Sequence, residues 1–116
     1  MTDDERAECA ALLAALRQRT SARLRALEDD RRSIVDASED ANLDDEHDPE
    51  GATVAYERAF VISLLDAARA SLAALDDAEV RMTSGRYGAC SVCGRPIGIE
   101  RLRADPAAAN CVECAT

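Results

Sequence analysis

The sequence lacks the bulky side chains that fill the core of a large globular domain. It has no tryptophan, one phenylalanine and two tyrosines in 116 residues, and alanine supplies much of its hydrophobic fraction of 47%. Alanine and leucine suit the narrow seam between two packed helices. At this length the chain predicts one domain, or one domain with a small added module, built mainly from long helices.

Long apolar runs are also missing from the sequence. No stretch approaches the ~20 apolar residues of a membrane span, and no apolar run follows a basic start. We therefore expect neither a membrane helix nor a signal peptide, and we expect a cytoplasmic protein. Because the cytoplasm is reducing, its cysteines are expected to bind metal and not to form disulfides.

Lysine is absent: all fourteen basic residues are arginine, against 23 acidic residues. The formal net charge of −9 argues against a protein that binds nucleic acid by neutralising phosphates. The C-terminal part offers only a weak basic patch, formed by Arg86, Arg95, Arg101 and Arg103. We therefore expect no direct, sequence-specific binding of nucleic acid.

Proline and glycine are absent before Pro49, which allows a long first helix. Thr2 as N-cap and Glu5 three residues later form the pattern of a capping box, and the helix is expected to run to about Ala41. Its seam positions recur every three or four residues. They are Leu13, Leu16, Thr20, Leu24, Leu27, Ile34 and Ala41, with Arg31 and Ser38 at polar heptad places.

An acidic segment near residues 42–50 interrupts this pattern. Asp48 before Pro49 then indicates a second helix start. Gly85 indicates its end, because glycine readily takes the left-handed conformation found after a helix. The seam of the second helix has the same spacing and comprises Val54, Val61, Leu65, Ala68, Leu72, Leu75 and Met82.

The two seams can be matched residue by residue. In an antiparallel hairpin the numbers of facing residues add to a constant. In this chain five pairs of seam residues give the same sum: Ala41 with Val54, Ile34 with Val61, Leu27 with Ala68, Thr20 with Leu75, and Leu13 with Met82. This regularity predicts a two-stranded antiparallel coiled coil. Two helices that pack in another bundle or in a dimer are the alternative, since heptads alone do not fix the partner.

Four of the five cysteines have the spacing of a zinc site. Cys90 and Cys93 form one Cys-x-x-Cys pair, and after the seventeen residues 94–110 Cys111 and Cys114 form a second. Such pairs direct four thiolates at one Zn²⁺, and Gly94 allows the tight turn after the first pair. Because the protein fills all four tetrahedral positions, we expect one structural zinc and no catalytic one.

Other polar residues give weaker signals. Cys9 lies close to the first seam and is expected to be a small buried residue, and His47 is expected in a solvated loop. The four thiolates leave excess negative charge that Arg86, Arg95 and Arg101 could offset. The acids of the turn, among them Asp44, Asp45, Asp48 and Glu50, fit two interpretations: solvated caps, or ligands that reach a Mg²⁺ or arginine site on a partner.

The C-terminal segment resembles the finger of the DksA/TraR family of bacterial zinc-finger proteins. The likeness covers about the last thirty residues and extends beyond the cysteines to Tyr87, Gly88, Gly94, Ile97, Gly98, Arg101, Leu102, Ala104, Pro106 and Ala108. Members of this family carry an antiparallel coiled coil before the finger. The resemblance implies a regulator of transcription that binds RNA polymerase in its secondary channel, with the acidic tip toward the active centre.

The tip of such coiled coils carries an Asp-x-x-Asp-x-Ala pattern. Counting back from Cys90 puts Ala52 at the alanine, Glu50 at the second acid and His47 at the first. The chain departs from the pattern at His47, with Asp44, Asp45 and Asp48 close enough to substitute. The resemblance thus implies partner-binding roles for these three aspartates, Glu50 and Ala52.

Together these observations predict a mainly α fold. A long antiparallel two-helix coiled-coil hairpin would occupy residues 1–84, with an acidic tip near 42–50, and a small four-cysteine zinc finger would occupy residues 85–116. We expect a monomer that is not an enzyme, since no open metal site, nucleophile–base pair or phosphate loop is evident. The leading hypothesis is an RNA polymerase-binding regulator. The alternative is a coiled-coil interaction or stress adaptor on the same scaffold, without polymerase regulation.

Overall fold

The computed structural model describes residues 1–42 and 49–115, and the side chains of residues 1–36 and 52–115. Helix α1 spans Asp3–Asn42, α2 spans Pro49–Thr83, and the short α3 spans Ile99–Ala104. A single 3-10 turn follows at Val112–Cys114. Among the described residues, the one β pairing is an isolated antiparallel bridge between Ala89 and Pro96.

The start of α1 has the cap that the sequence predicted. The Thr2 hydroxyl accepts a hydrogen bond from the Glu5 backbone N–H at 3.0 Å, and the Glu5 carboxylate accepts one from the Thr2 N–H at 2.9 Å. This reciprocal pair satisfies two backbone donors that the helix leaves free. The Thr2 N–H also lowers the pKa of Glu5.

The end of α2 also follows the prediction. Gly85 has φ +77°, and the Arg86 N–H donates to the Arg81 carbonyl at 2.9 Å. A left-handed residue followed by this return bond is a Schellman ending. The chain therefore turns back toward α2 and directs Tyr87 into the core.

The chain divides into two compact units, which cut across both long helices: Met1–Arg19 with Ser71–Thr116, and Thr20–Ala70. The sequence predicted a different division, into the continuous segments 1–84 and 85–116. That division stays a prediction. None of the helices that the described residues form is long and apolar enough to span a membrane.

In the unit Thr20–Ala70, α1 and α2 pack antiparallel along the predicted seams. The buried residues are Leu27, Val61, Leu65 and Ala68, with Leu24, Ile34 and Leu64 packed against them. Arg69 lies 3.8 Å from Glu28 across the two helices. Leu27 and Ala68, and Ile34 and Val61, are pairs that the sequence matched.

In the other unit, the finger shares one core with both helices. Its buried residues come from α1 (Cys9, Leu13), α2 (Leu75, Ala78) and the finger (Tyr87, Cys90, Ile97, Leu102, Ala108). Leu16 and Met82 pack against this core, which contains Leu13, the residue that the seams matched with Met82. Arg17 of α1 pairs with Asp76 and Glu79 of α2, and Arg103 pairs with Glu8. The mainly α fold of two packed long helices and a four-cysteine cluster is confirmed.

Candidate metal centre

Each Cys-x-x-Cys pair lies in a tight turn held by the backbone. In the first turn, the Gly94 N–H donates to the Cys90 carbonyl at 2.9 Å, and Gly94 has φ +75°. In the second turn, the Cys114 N–H donates to the Cys111 carbonyl at 3.1 Å. A residue with a Cβ would be strained at the Gly94 conformation, which explains the glycine directly after the pair.

The loop between the pairs brings the two turns together. The Ser91 N–H donates to the Ala109 carbonyl at 2.8 Å, and the Arg101 Nε donates to the Asn110 carbonyl at 2.9 Å. Arg101 extends from α3, whose Leu102 is buried in the shared core. Helix α3 therefore anchors the loop at one end, while its arginine holds the backbone just before Cys111.

The four sulfurs of Cys90, Cys93, Cys111 and Cys114 converge to within 4.8 Å of one another. The Sγ atoms of Cys93 and Cys111 are 3.7 Å apart. A tetrahedral zinc with bonds of about 2.3 Å requires sulfurs about 3.8 Å apart. The donor set and its spacing therefore fit one zinc ion with four thiolate ligands.

The pKa values of the thiols differ strongly within this cluster. Backbone N–H groups at Cys93 and Cys111 lower the pKa of Cys90 to about 6, and the Val92 N–H adds a further hydrogen bond at 3.4 Å. A hydrogen bond with Cys111, together with burial, raises the pKa of Cys114 to about 12. One thiol thus ionises readily while a neighbour retains its proton, and a central dication is what allows all four to become thiolates.

Two side chains fix the finger to the end of α2. Tyr87 is 4% exposed and its hydroxyl donates to the Pro106 carbonyl at 2.7 Å. Arg81 is 7% exposed, and its two terminal nitrogens donate to the carbonyls of Ala107 and Ala108 at 3.3 Å each. Its Nε has no partner among the described residues. These bonds hold the chain between α3 and the second cysteine pair.

The arginines predicted near the thiolates bond elsewhere in the structure. Arg95 pairs with Glu113 at 3.5 Å across the two cysteine turns. Arg86 donates to the Ser84 hydroxyl, and Arg101 bonds the backbone as described above. Compensation of the thiolate charge by these residues stays a prediction.

The predicted tip residues are only partly described. Asp44, Asp45, Asp48 and His47 lie outside the described residues, as does the side chain of Glu50. Ala52 is exposed on the first turns of α2. The buried Cys9 packs in the shared core, as expected.

Sequence reasoning missed the role of Arg81. Its position three residues after Ala78 and six after Leu75 continues the buried face of α2, which was a usable signal. What the pattern does not reveal is that two carbonyls of the finger, 26 and 27 residues away in sequence, accept its hydrogen bonds.

Comparison with known proteins agrees with this geometry. Residues 85–116 match the model of the prokaryotic dksA/traR C4-type zinc finger. Over 57 residues the chain is 39% identical to the RNA polymerase-binding transcription factor DksA of two Caulobacter vibrioides strains. This match covers 49% of the chain and 40% of the relative, so it spans less than half the length of these curated relatives.

A solved structure resembles nearly the whole chain. Transcription factor DksA2 from Pseudomonas aeruginosa matches with a TM-score of 0.79 and 26% sequence identity. The match covers 96% of this chain and 80% of that one. The likeness therefore includes the packed helices as well as the finger.

Fold and site define a class of protein in which two packed long helices carry a C-terminal four-cysteine zinc finger. The finger model matches residues 85–116, and the relatives and the solved structure that resemble this chain are DksA proteins. The resemblance found in the sequence is thereby confirmed. The C4-type finger and the converged thiols also support the predicted single structural zinc.

Proposed function

We propose that this chain is a cytoplasmic regulator of transcription that binds RNA polymerase directly. The observation that carries the proposal is the four-cysteine finger packed on the paired ends of two long helices. The solved transcription factor DksA2 resembles this arrangement, and the similar curated proteins are named RNA polymerase-binding transcription factors. Cys90, Cys93, Cys111 and Cys114 would hold the structural zinc. The residues proposed to contact polymerase are Asp44, Asp45, Asp48, Glu50 and Ala52.

The electrostatics of the finger favour a protein partner over nucleic acid. Arg95 is paired with Glu113, and Arg103 with Glu8 and Glu100. Arg101 is committed to a backbone carbonyl. Because a phosphate would have to displace these partners, the finger is poorly suited to bind a nucleic-acid backbone.

The chemistry of the site also argues for a regulator and not an enzyme. Four cysteine ligands complete the tetrahedral coordination that zinc prefers, so no position is left for a water or substrate. The zinc would then act by stabilising the finger. We further propose a monomer.

The test is neutralisation of the tip. Asp44→Asn, Asp45→Asn, Asp48→Asn and Glu50→Gln are combined in one variant, and transcription by the purified RNA polymerase of the encoding organism is measured with and without it. We expect the wild-type chain to alter transcript yield, and the neutralised chain to bind polymerase but lose most of this effect. Asp44, Asp45 and Asp48 come between α1 and α2 in the sequence, and Glu50 lies at the start of α2. Unchanged circular dichroism of the variant serves as the folding control.

The outcomes separate this proposal from the adaptor hypothesis. If the wild-type chain binds polymerase and neutralisation leaves transcription unchanged, the acidic tip has no regulatory role. If the wild-type chain does not bind polymerase at all, while it retains other partners, the adaptor hypothesis replaces this one.

A further inference from the structure

The unit Thr20–Ala70 exposes two of the chain's three aromatic residues. Tyr56 is 76% exposed and Phe60 is 59% exposed, whereas the third aromatic residue, Tyr87, is buried in the other unit. Tyr56 and Phe60 are four residues apart on α2, so they project from the same side of the helix. In a chain so poor in aromatics, this placement concentrates nearly all exposed aromatic surface at one place.

The aromatic pair is bordered by unpaired negative charge. Phe60 lines a groove of about 290 Å³ together with Ile34 and Val61, and the rim of this groove includes Asp30 and Glu57. Among the side chains that the structure describes, none forms an ion pair or hydrogen bond with these two carboxylates. We call Tyr56, Phe60, Asp30 and Glu57 the aromatic flank.

The other flank of the same helix pair has the opposite character. Arg58 is two residues from both Tyr56 and Phe60, which places it about 200° around the helix from each. It lines a second groove, of about 520 Å³, with three more arginines and two acids; the lining is Glu28, Arg31, Arg32, Val35, Asp36, Arg58 and Arg69. The aromatic flank would therefore attract a positively charged partner surface, and the arginine-rich flank would attract a negatively charged one.

The aromatic flank is continuous with the start of α2. Ala52 is exposed and precedes Tyr56 by four residues, so Ala52, Tyr56 and Phe60 lie in one row. At 1.5 Å per residue this row is about 12 Å long. A partner that reaches Ala52 from this side would also contact the aromatic pair.

We propose that the aromatic flank is a docking surface for RNA polymerase, on which Tyr56 and Phe60 enter an apolar depression bordered by arginine or lysine. This inference rests on the proposed function. Large aromatic side chains dominate the energetics of protein interfaces because they bury much area with little loss of conformational freedom. Basic residues of the partner would pair with Asp30 and Glu57 and give the contact its orientation.

The charges make a second copy of the chain a poor occupant. Two aromatic flanks packed face to face would bring the unpaired Asp30 and Glu57 carboxylates of both copies together, and like charges repel strongly once water is excluded. The same carboxylates oppose a phosphate-bearing partner. A protein surface that is both apolar and basic complements the flank.

The first test measures affinity for purified RNA polymerase of the encoding organism. The variant Tyr56→Ala/Phe60→Ala is expected to bind at least about tenfold more weakly than the wild-type chain. Tyr56→Phe should bind within about twofold, since the ring is kept. The matched control Arg58→Gln, on the opposite flank of the same turns, should also stay within about twofold. Equal thermal melting curves establish that all variants are folded.

The second test maps the contact by photo-crosslinking. A benzoylphenylalanine placed at Phe60 should crosslink to a polymerase subunit, and the same probe at Arg58 should not. A crosslink from position 60 to a second copy of the chain would show self-association and overturn the proposal.

The remaining outcomes distinguish failure of the docking surface from failure of the proposed function. If the wild-type chain binds polymerase and Tyr56→Ala/Phe60→Ala binds equally well, the aromatic flank is excluded while the proposed function stands. If the wild-type chain fails to bind polymerase, the proposed function falls, and this docking surface with it.

Discussion

At the scale of single residues, the finger is held by a few polar side chains inside an otherwise apolar core. Tyr87 illustrates the principle: its ring packs with Cys9 and Leu102 while its hydroxyl satisfies the Pro106 carbonyl. Burial, together with its side-chain hydrogen bond to Cys9, raises the pKa of Tyr87 above its usual range. The phenol therefore stays protonated in the folded protein at a pH where an exposed tyrosine ionises.

This shift predicts how stability depends on pH. Unfolded tyrosine ionises near pH 10, whereas folded Tyr87 does so only at higher pH. Its contribution to the free energy of unfolding is therefore complete below pH ~10 and is lost as the pH rises above that value. Tyr87→Phe should reduce the free energy of unfolding by about 1–2 kcal/mol at pH 8, because the Pro106 carbonyl loses its partner. The variant should also lose less stability than the wild-type chain when the pH rises above ~10.

Urea unfolding at pH 8 and at pH 10.5 measures both effects. Tyr56→Phe is the matched control: Tyr56 is exposed, so its stability at pH 8 should equal that of the wild-type chain. If the wild-type chain and Tyr87→Phe lose the same stability between pH 8 and pH 10.5, a group other than Tyr87 causes the pH dependence.

At the scale of elements, the ends of the helices decide how the chain enters and leaves the seam. The capping box of Thr2 and Glu5 starts α1, and Gly85 with its left-handed φ ends α2. The turn at Gly85 does more than stop a helix. It returns the chain so that Tyr87 and Cys90 reach the core that also contains Leu13 and Leu75.

Replacement of Gly85 isolates this backbone effect. A Cβ at Gly85 would meet no atom within 4 Å, so the cost of Gly85→Ala arises from the left-handed conformation alone. We expect a loss of about 1–2 kcal/mol in the free energy of unfolding. Gly85→Asn should lose less, since asparagine tolerates this conformation better. Thermal unfolding of the zinc-loaded proteins measures the difference, and an alanine variant as stable as the wild-type chain would contradict the assignment.

At the scale of the whole molecule, the finger and the ends of the two long helices share one core. The finger, residues 85–116, has few large apolar side chains of its own, so its folding is expected to depend on zinc. The structure adds that Cys9, Leu13, Leu75 and Ala78 pack directly against finger residues. Loss of the metal should therefore loosen these helix residues as well.

Removal of zinc by a chelator, followed by hydrogen exchange, tests this coupling. We expect amides of residues 85–115 to lose protection, because the folding of such fingers depends on the metal. Amides near Cys9–Leu13 and Leu75–Ala78 should lose protection with them, while those of the unit Thr20–Ala70 keep it.

Cys9→Ala provides the control for zinc removal. It alters the same core without touching a proposed ligand, so it should retain one zinc per chain. A finger that stays protected after chelation would exclude a structural role for the metal.

Much of this molecule was predictable because the decisive signals are local. The three-four spacing of Leu27, Ile34, Val61 and Ala68 reports which face of each helix is buried, since the helical repeat fixes the face whatever the partner. The two Cys-x-x-Cys pairs report the metal site because each short turn alone can direct two sulfurs at one ion. Packing confirmed the buried faces, and the convergence of the four thiols supports the single zinc.

Only the tertiary structure decided how the finger is held and which flank of the helix pair is aromatic. Arg81 bonds Ala107 and Ala108, and Arg103 pairs with Glu8, 95 residues away in sequence. Such contacts depend on the turn at Gly85 and on the exact placement of α3, which no periodicity encodes. The sequence by itself determined the two helices and the two Cys-x-x-Cys turns through short-range geometry. Long-range packing formed the shared core and left the side of α2 with Tyr56 and Phe60 exposed. This packing acts only once those elements have come together.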